Sequence, residues 1–167
     1  MAVSVELVAI TEQDWRQVRD LRVQALADTP HAFLETFLHA VEQPDEEWKA
    51  RARRCQDPDY TGVAAVVNGR WVGTMRAVLT PDGRATLIGV FVAPGFRGRR
   101  FGVTDRLLDA IELWVRDRGL SELHLEVHAD NARAQAFYLR RGYEFTGVKK
   151  PYPLDESEWE LEMRRPL

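Results

Sequence analysis

The sequence predicts an α/β fold of one domain, a sheet of mixed direction with helices on both faces. Three observations point there. Short apolar runs of strand period are separated by turn residues and punctuated by longer segments of helical period. The strand-like runs on either side of the helix after Pro94-Gly95 stand in a β–α–β relation, which requires a parallel pair, whereas Asn68-Gly69 marks a hairpin, which requires an antiparallel one. At 167 residues the chain has room for one sizeable core and none for a second domain.

In chain order, Val3 to Ala9 sets Val3, Val5 and Leu7 against Ser4 and Glu6, the alternation of a strand. Thr11 offers an N-cap for a helix carrying Trp15, Val18, Leu21, Val23 and Leu26, ending near Asp28-Thr29-Pro30. His31 to Gln43 is mixed, either a short helix or a loop over a site. Pro44-Asp45-Glu46-Glu47 starts a clearer helix, its first-turn acids and later Lys49, Arg51, Arg53 and Arg54 complementing the helix dipole. Thr61 to Val67 and Trp71 to Leu79 are the hairpin strands, and Pro81-Asp82-Gly83 turns the chain into a third strand, Ala85 to Val92. The next helix runs to about Arg118 on a stripe that includes Leu107, Leu108, Ile111 and Val115, and Gly119 ends it. Glu122 to His128 alternates strictly; Asn131 opens a helix stopped by Gly142; Tyr143 to Val148 and Trp159 to Met163 form a closing strand pair.

The charge balance, 26 acidic against 23 basic residues for a net of -3, argues against a nucleic-acid partner, which calls for a basic excess. Cys55 is the single cysteine, so an intramolecular disulfide and a cysteine-based zinc cage are excluded, and a reducing cytoplasm fits. In its Arg-rich helical segment Cys55 reads as a surface or half-buried thiol rather than a nucleophile. The first residues lack a charged leader and no apolar run reaches membrane-spanning length, so the expectation is a soluble cytoplasmic protein with no membrane partner.

The most informative stretch is Leu87 to Val103, LIGVFVAPGFRGRRFGV, where a strand breaks at Ala93-Pro94-Gly95 and a helix begins after Arg97-Gly98-Arg99-Arg100. A small, Gly-containing, basic turn between strand and helix leaves N–H groups aimed outward, and the helix dipole adds positive potential, so the turn suits a pyrophosphate. A solvated basic loop capping an ordinary βα unit is the plain alternative.

This stretch, with the later LEVHADNARAQAFYLRRGYEFTG, resembles the GNAT superfamily of N-acetyltransferases, which transfer an acyl group from acetyl-CoA to an amine. The resemblance is carried by Leu87 to Gly147, and the remaining element order agrees. It implies a mostly antiparallel sheet with a central parallel splayed strand pair, acetyl-CoA as cosubstrate without a metal, and an amine acceptor that is a small molecule or a peptide. It leaves a homodimer open. By position, Val90, Phe91 and Val92 resemble the strand that bonds the pantetheine arm and polarises the thioester carbonyl. Arg97, Gly98, Arg99, Arg100, Phe101, Gly102 and Val103 fall on the pyrophosphate loop, and Asn131 falls where the family bonds the pantetheine arm, a role compatible with a plain N-cap. The family's loop reads Arg or Gln, two variable residues, Gly, one variable residue, then Gly or Ala. Here Arg97 and Gly102 fit, but Arg100 stands at the first glycine, so it must adopt that backbone conformation with its side chain swung outward.

Tyr138 matches the family tyrosine beside the cofactor sulfur, where a phenol can protonate the departing thiolate, and it also counts among the cofactor contacts. A core tyrosine is its plain alternative. On the strand Glu122 to His128, period two puts His124, Glu126 and His128 on one face. Glu126 aligns with a glutamate that serves as base in some members, through water; His128, nearer the strand's C-terminal end, titrates closer to neutral pH. Glu126 is preferred, with His128 or a water chain open, and no further ligands support a metal at the histidines. The acceptor would enter past His31 to Gln43 and a loop from Lys149 to Glu158, where Glu35, Glu42, Asp155, Glu156 and Glu158 could attract a cationic amine. The competing readings are a non-catalytic acyl-CoA sensor and a nucleic-acid patch at the arginines.

Overall fold

In a computed structural model, residues 3–167 are described. The chain forms β1 (Glu6–Ala9), α1 (Trp15–Asp28), α2 (Phe37–Val41), α3 (Asp45–Arg54), β2 (Tyr60–Val67), β3 (Arg70–Leu79), β4 (Ala85–Val92), α4 (Val103–Asp117), β5 (Glu122–His128), α5 (Ala132–Arg140), β6 (Glu144–Tyr152) and β7 (Asp155–Pro166). The strands make one sheet in the order β1-β2-β3-β4-β5-β7-β6, antiparallel everywhere except β4–β5.

Alternation along the strands divides the apolar residues between two cores. Ala65, Met75, Ala77, Leu87, Leu125 and Met163 pack under Leu107, Leu108 and Ile111 of α4, joined by Tyr138 of α5. Ala64 and Phe91 face the other way, against Val18 and Leu21 of α1 and Trp48 of α3. The expected helices on both faces and the expected parallel pair are therefore present.

The differences lie where local pattern is weakest. The first strand begins at Glu6, because pairing with β2 starts at Glu6↔Val66 and Val3 is exposed. The mixed segment resolves into a short 3-10 turn, Pro30–Ala32, and the five-residue α2, whose N-cap Thr36 accepts a hydrogen bond from the His39 N–H. The closing hairpin is longer than predicted: β6 and β7 absorb most of 149–158 and leave a turn at Pro153-Leu154. Pro151 is tolerated there because β6 is the sheet's edge.

Candidate active site

The parallel pair is short by construction. β4 and β5 match only at Ala85↔Leu123, Thr86↔His124 and Leu87↔Leu125; beyond these the strands part. On the β4 side Gly89 sits at φ +60, and between the pairs Arg76↔Ile88 and Thr74↔Phe91 β4 advances three residues for two on β3, a bulge that bends the strand away. The backbone groups of Val90 and Val127 thus face an open wedge instead of each other, and an inserted chain of matching polarity is what would satisfy them.

A cavity of about 580 Å³ occupies one side of the wedge, with Val90, Phe91, Val92, Arg97, Gly98, Arg99, Asn131 and Tyr138 among its walls. Eight expected cofactor residues are brought together there. Arg100, Phe101, Gly102 and Val103 are not in its wall; they lie at the turn that leads into α4. From Gly98 to Asp105 no backbone N–H finds a backbone acceptor among the described residues. Gly98 and Gly102 take φ +85 and +62, with open space where a Cβ would stand, so an anion can approach the main chain closely. Asp105, the one acid in the first turn of α4, is neutralised by Arg140 and Arg141 at 3.1 and 3.0 Å. The turn therefore presents positive potential to an anion.

Two arginines behave differently from their positions in the motif. The Arg97 guanidinium donates to Val92 O at 2.7 Å and to the Asp28 carboxylate, tying α1 to the end of β4. That hydrogen bond holds the Asp28 carboxyl below the usual range. Arg100 is exposed, stacks 5.3 Å from the Phe101 ring centroid, and lies outside the left-handed region, since Asn68 is the one non-glycine there among the described residues. The missing glycine is thus accommodated without backbone strain.

Asn131 caps α5, its Oδ1 accepting from the Ala134 N–H at 3.2 Å, while its amide nitrogen remains for a ligand. Tyr138 follows on the same helix, 5% exposed, packed edge-on against Phe137 and Tyr143. Burial raises its pKa well above the ordinary phenol value, so it is a protonated donor at physiological pH. It lines the first cavity and also a second, of about 310 Å³, which shares Val90, Asn131 and Ala134 with the first.

This second cavity contains Glu126 and His128. Glu126 is exposed to it, with Lys150 Nζ 2.6 Å from Oε1. His128 is buried with both nitrogens engaged: Nδ1 accepts from the Asp130 N–H at 3.2 Å, which places the proton on Nε2, 2.8 Å from Glu158. No lone pair is left on the ring to receive a further proton. His31 joins this pair, and the three ligand-type atoms of His31, His128 and Glu158 lie within 4.8 Å of one another. His124 lies apart, against Arg84 and Glu122.

The acids expected to attract the acceptor are largely spent. Glu35 is buried and accepts from Arg22, Arg51 and His39; burial works upward on its pKa, but those hydrogen bonds prevail and hold it at about 2. Asp155 is turned onto Ser157. Cys55 is buried, which raises its thiol pKa and removes it as a nucleophile. Conversely, Arg133, Thr104 and Phe137 line the first cavity and Arg76 and Glu160 the second, none of them expected. Gly89 within a strand was the one local sign that the sheet opens there.

The model of the acetyltransferase (GNAT) family matches residues 18–143. The chain is 35% identical over 92 residues to the streptothricin acetyltransferase of Streptomyces lavendulae; the match covers 55% of this chain and 42% of that protein, less than half its length. The ribosomal-protein-alanine N-acetyltransferase of Brucella melitensis superimposes with a TM-score of 0.79 at 21% identity, over 97% of this chain and 99% of that one. The PaiA N-acetyltransferase of Thermoplasma acidophilum, solved in complex with coenzyme A, gives 0.74 at 18% identity, over 95% and 98%. These two likenesses concern the fold. Matched by the family model over most of its length, the chain belongs to the acetyltransferase (GNAT) family.

Proposed function

We propose that this protein moves an acetyl group from acetyl-CoA to a primary amine by direct transfer in a ternary complex. The observation that carries the reading is Tyr138: one buried hydroxyl-bearing side chain forms part of the wall of both cavities, where the strands part. Acetyl-CoA supplies an activated thioester. The N–H groups at Gly98–Asp105 receive its pyrophosphate, with Arg99 and Arg133 at the same wall, and Asn131 and the β4 backbone hold the arm between them. Backbone N–H groups on the β5-facing side of β4, around Val90 and Val92, stabilise charge that grows on the carbonyl oxygen.

The amine nitrogen forms its bond to carbon as the carbon–sulfur bond breaks. Its surplus proton passes to Glu126, directly or through water, and Tyr138 gives its proton to sulfur. Cys55 lines neither cavity and both ring nitrogens of His128 are engaged, so neither offers a covalent relay. Detection of free thiol on adding an amine panel, streptothricin included because of the relative's name, tests the reading. Thiol release that depends on both amine and acetyl-CoA supports it; tight CoA binding with no amine-dependent release across the panel points to a sensor.

A further inference from the structure

Among the described residues, two side-chain polar atoms are sealed from solvent without a hydrogen-bond partner: Arg76 Nε and Glu160 Oε2. Both residues line the second cavity. The coincidence is informative because each orphan is costly. A buried donor or acceptor without a partner forfeits its hydration, on the order of 1–3 kcal/mol and more for a charged group, and native proteins retain few of them. A guanidinium cannot escape by losing its proton.

The sheet sets their separation. Arg76 points to the same face as its neighbours on β3 that lie opposite Met75 and Ala77, and Glu160 to the face opposite Leu161, so both stand on the α1 side. They lie three strand spacings apart, on β3 and β7, at least about 14 Å between backbones. The stem of Arg76 runs over the bulge glycine: a Cβ on Gly89 would stand 3.4 Å from Arg76 Cδ. Around Arg76 the potential is positive, because Arg22 lines the same cavity and its anion, Glu35, is shared with Arg51. Around Glu160 it is negative. Glu126 stands beside it, with Lys150 and His128 in register on the flanking strands and Tyr152 and Glu158 nearby. Burial and the charge of Glu126 raise the Glu160 pKa, against the opposing pull of Lys150 and His128, so an ammonium placed beside it would relieve the crowding of negative charge.

We propose that the acceptor is a small amine that also carries an oxyanion, its ammonium received at the Glu160 wall and its carboxylate or phosphate at the Arg76 wall. The proposal rests on the acetyl-transfer reading and names the substrate class of that site. A cavity charged oppositely at its two ends favours a zwitterion over a polyamine, which would set a cation against Arg22 and Arg76, and over a simple alkylamine, which would leave Arg76 bare.

The test uses the protein saturated with CoA and a ladder of ω-amino carboxylates and ω-aminoalkyl phosphates of increasing length, each beside the diamine and the monoamine of equal length. Binding is measured by calorimetry, and acetylation separately by thiol release from acetyl-CoA. The expected result is that the best oxyanion-bearing probe binds at least about tenfold more tightly than its diamine and monoamine counterparts, the value of one charge-assisted hydrogen bond. Arg76→Gln removes that advantage and Arg76→Lys keeps part of it, both with unchanged CoA affinity, while Glu160→Gln weakens every amine. The better of the carboxylate and phosphate arms identifies the oxyanion. Diamines or monoamines binding as well as, or better than, every oxyanion probe would overturn the proposal, as would an oxyanion preference that survives Arg76→Gln. Acetylation of diamines with no effect of Arg76 would sink the zwitterion and leave acetyl transfer standing; zwitterion binding without thiol release would do the reverse.

Discussion

Lys150 Nζ stands 2.6 Å from Oε1 of Glu126, a carboxylate in the wall of the second cavity. The carboxylate assigned to proton removal is therefore held by a cation on the neighbouring hairpin, and an arriving ammonium must compete with it. Glu126→Gln should lower kcat/KM for the acceptor by about tenfold or more, within the range general bases contribute. Lys150→Met should lower the acceptor KM with a smaller change in kcat. The pair is half exposed, so stability should move little in either variant, as exposed ion pairs contribute about 0–1 kcal/mol. Steady-state kinetics with a thermal melt on each variant checks both statements.

Tyr138→Phe should reduce kcat by one to several orders of magnitude while CoA affinity, read by calorimetry, stays nearly the same, since general acid catalysis is typically worth about 10²–10⁴. Because burial raises the Tyr138 pKa, the phenol keeps its proton through the alkaline range. Wild-type kcat should accordingly show no fall below about pH 10 from this residue. Unchanged turnover in the Phe variant removes Tyr138 from the chemistry.

The cradle makes a prediction about glycines. Gly102→Ala forces a Cβ into a left-handed residue at φ +62, at a cost of about 1–2 kcal/mol, without a clash. CoA should bind about tenfold more weakly as the N–H groups lose alignment. Arg100→Gly, which restores the family's usual loop, should not raise stability, because Arg100 carries no left-handed strain to relieve. A gain in melting temperature there would show strain that the backbone angles do not contain.

Acid should weaken the packing of α1, α2 and α3 through Glu35. Its folded pKa of about 2 lies below the ordinary 4.5, so the stability it contributes is present above about pH 4.5 and is lost as pH falls toward 2. The full effect is on the order of 3 kcal/mol. Unfolding free energies between pH 6 and 3 should fall more steeply for the wild type than for Glu35→Gln, which starts lower.

Much of this was legible from local pattern, and the remainder depends on neighbours in space. The hairpin at Asn68-Gly69, the α4 stripe and the alternation of β5 are each written within a few residues, and they appear where expected. The two segments that carry the family resemblance were legible because turns with positive-φ glycines and an N-cap recur at fixed spacing. The length of β6 and β7 was hidden: an edge strand solvated on both faces shows no alternation, and Pro151 reads as a break. Glu35 looked like a free surface acid because nothing local shows that Arg22 and Arg51, from two different helices, converge on it. Glu160 is buried only because β7 inserts between β5 and β6, a pairing out of chain order.

Direct transfer is the central claim, and initial rates over a grid of acetyl-CoA and acceptor concentrations, with the intact mass of protein held with acetyl-CoA alone, test it most directly. Two cavities meeting at Tyr138 predict intersecting double-reciprocal lines and no acetylated protein. Parallel lines with a stoichiometric acetyl adduct would contradict the account.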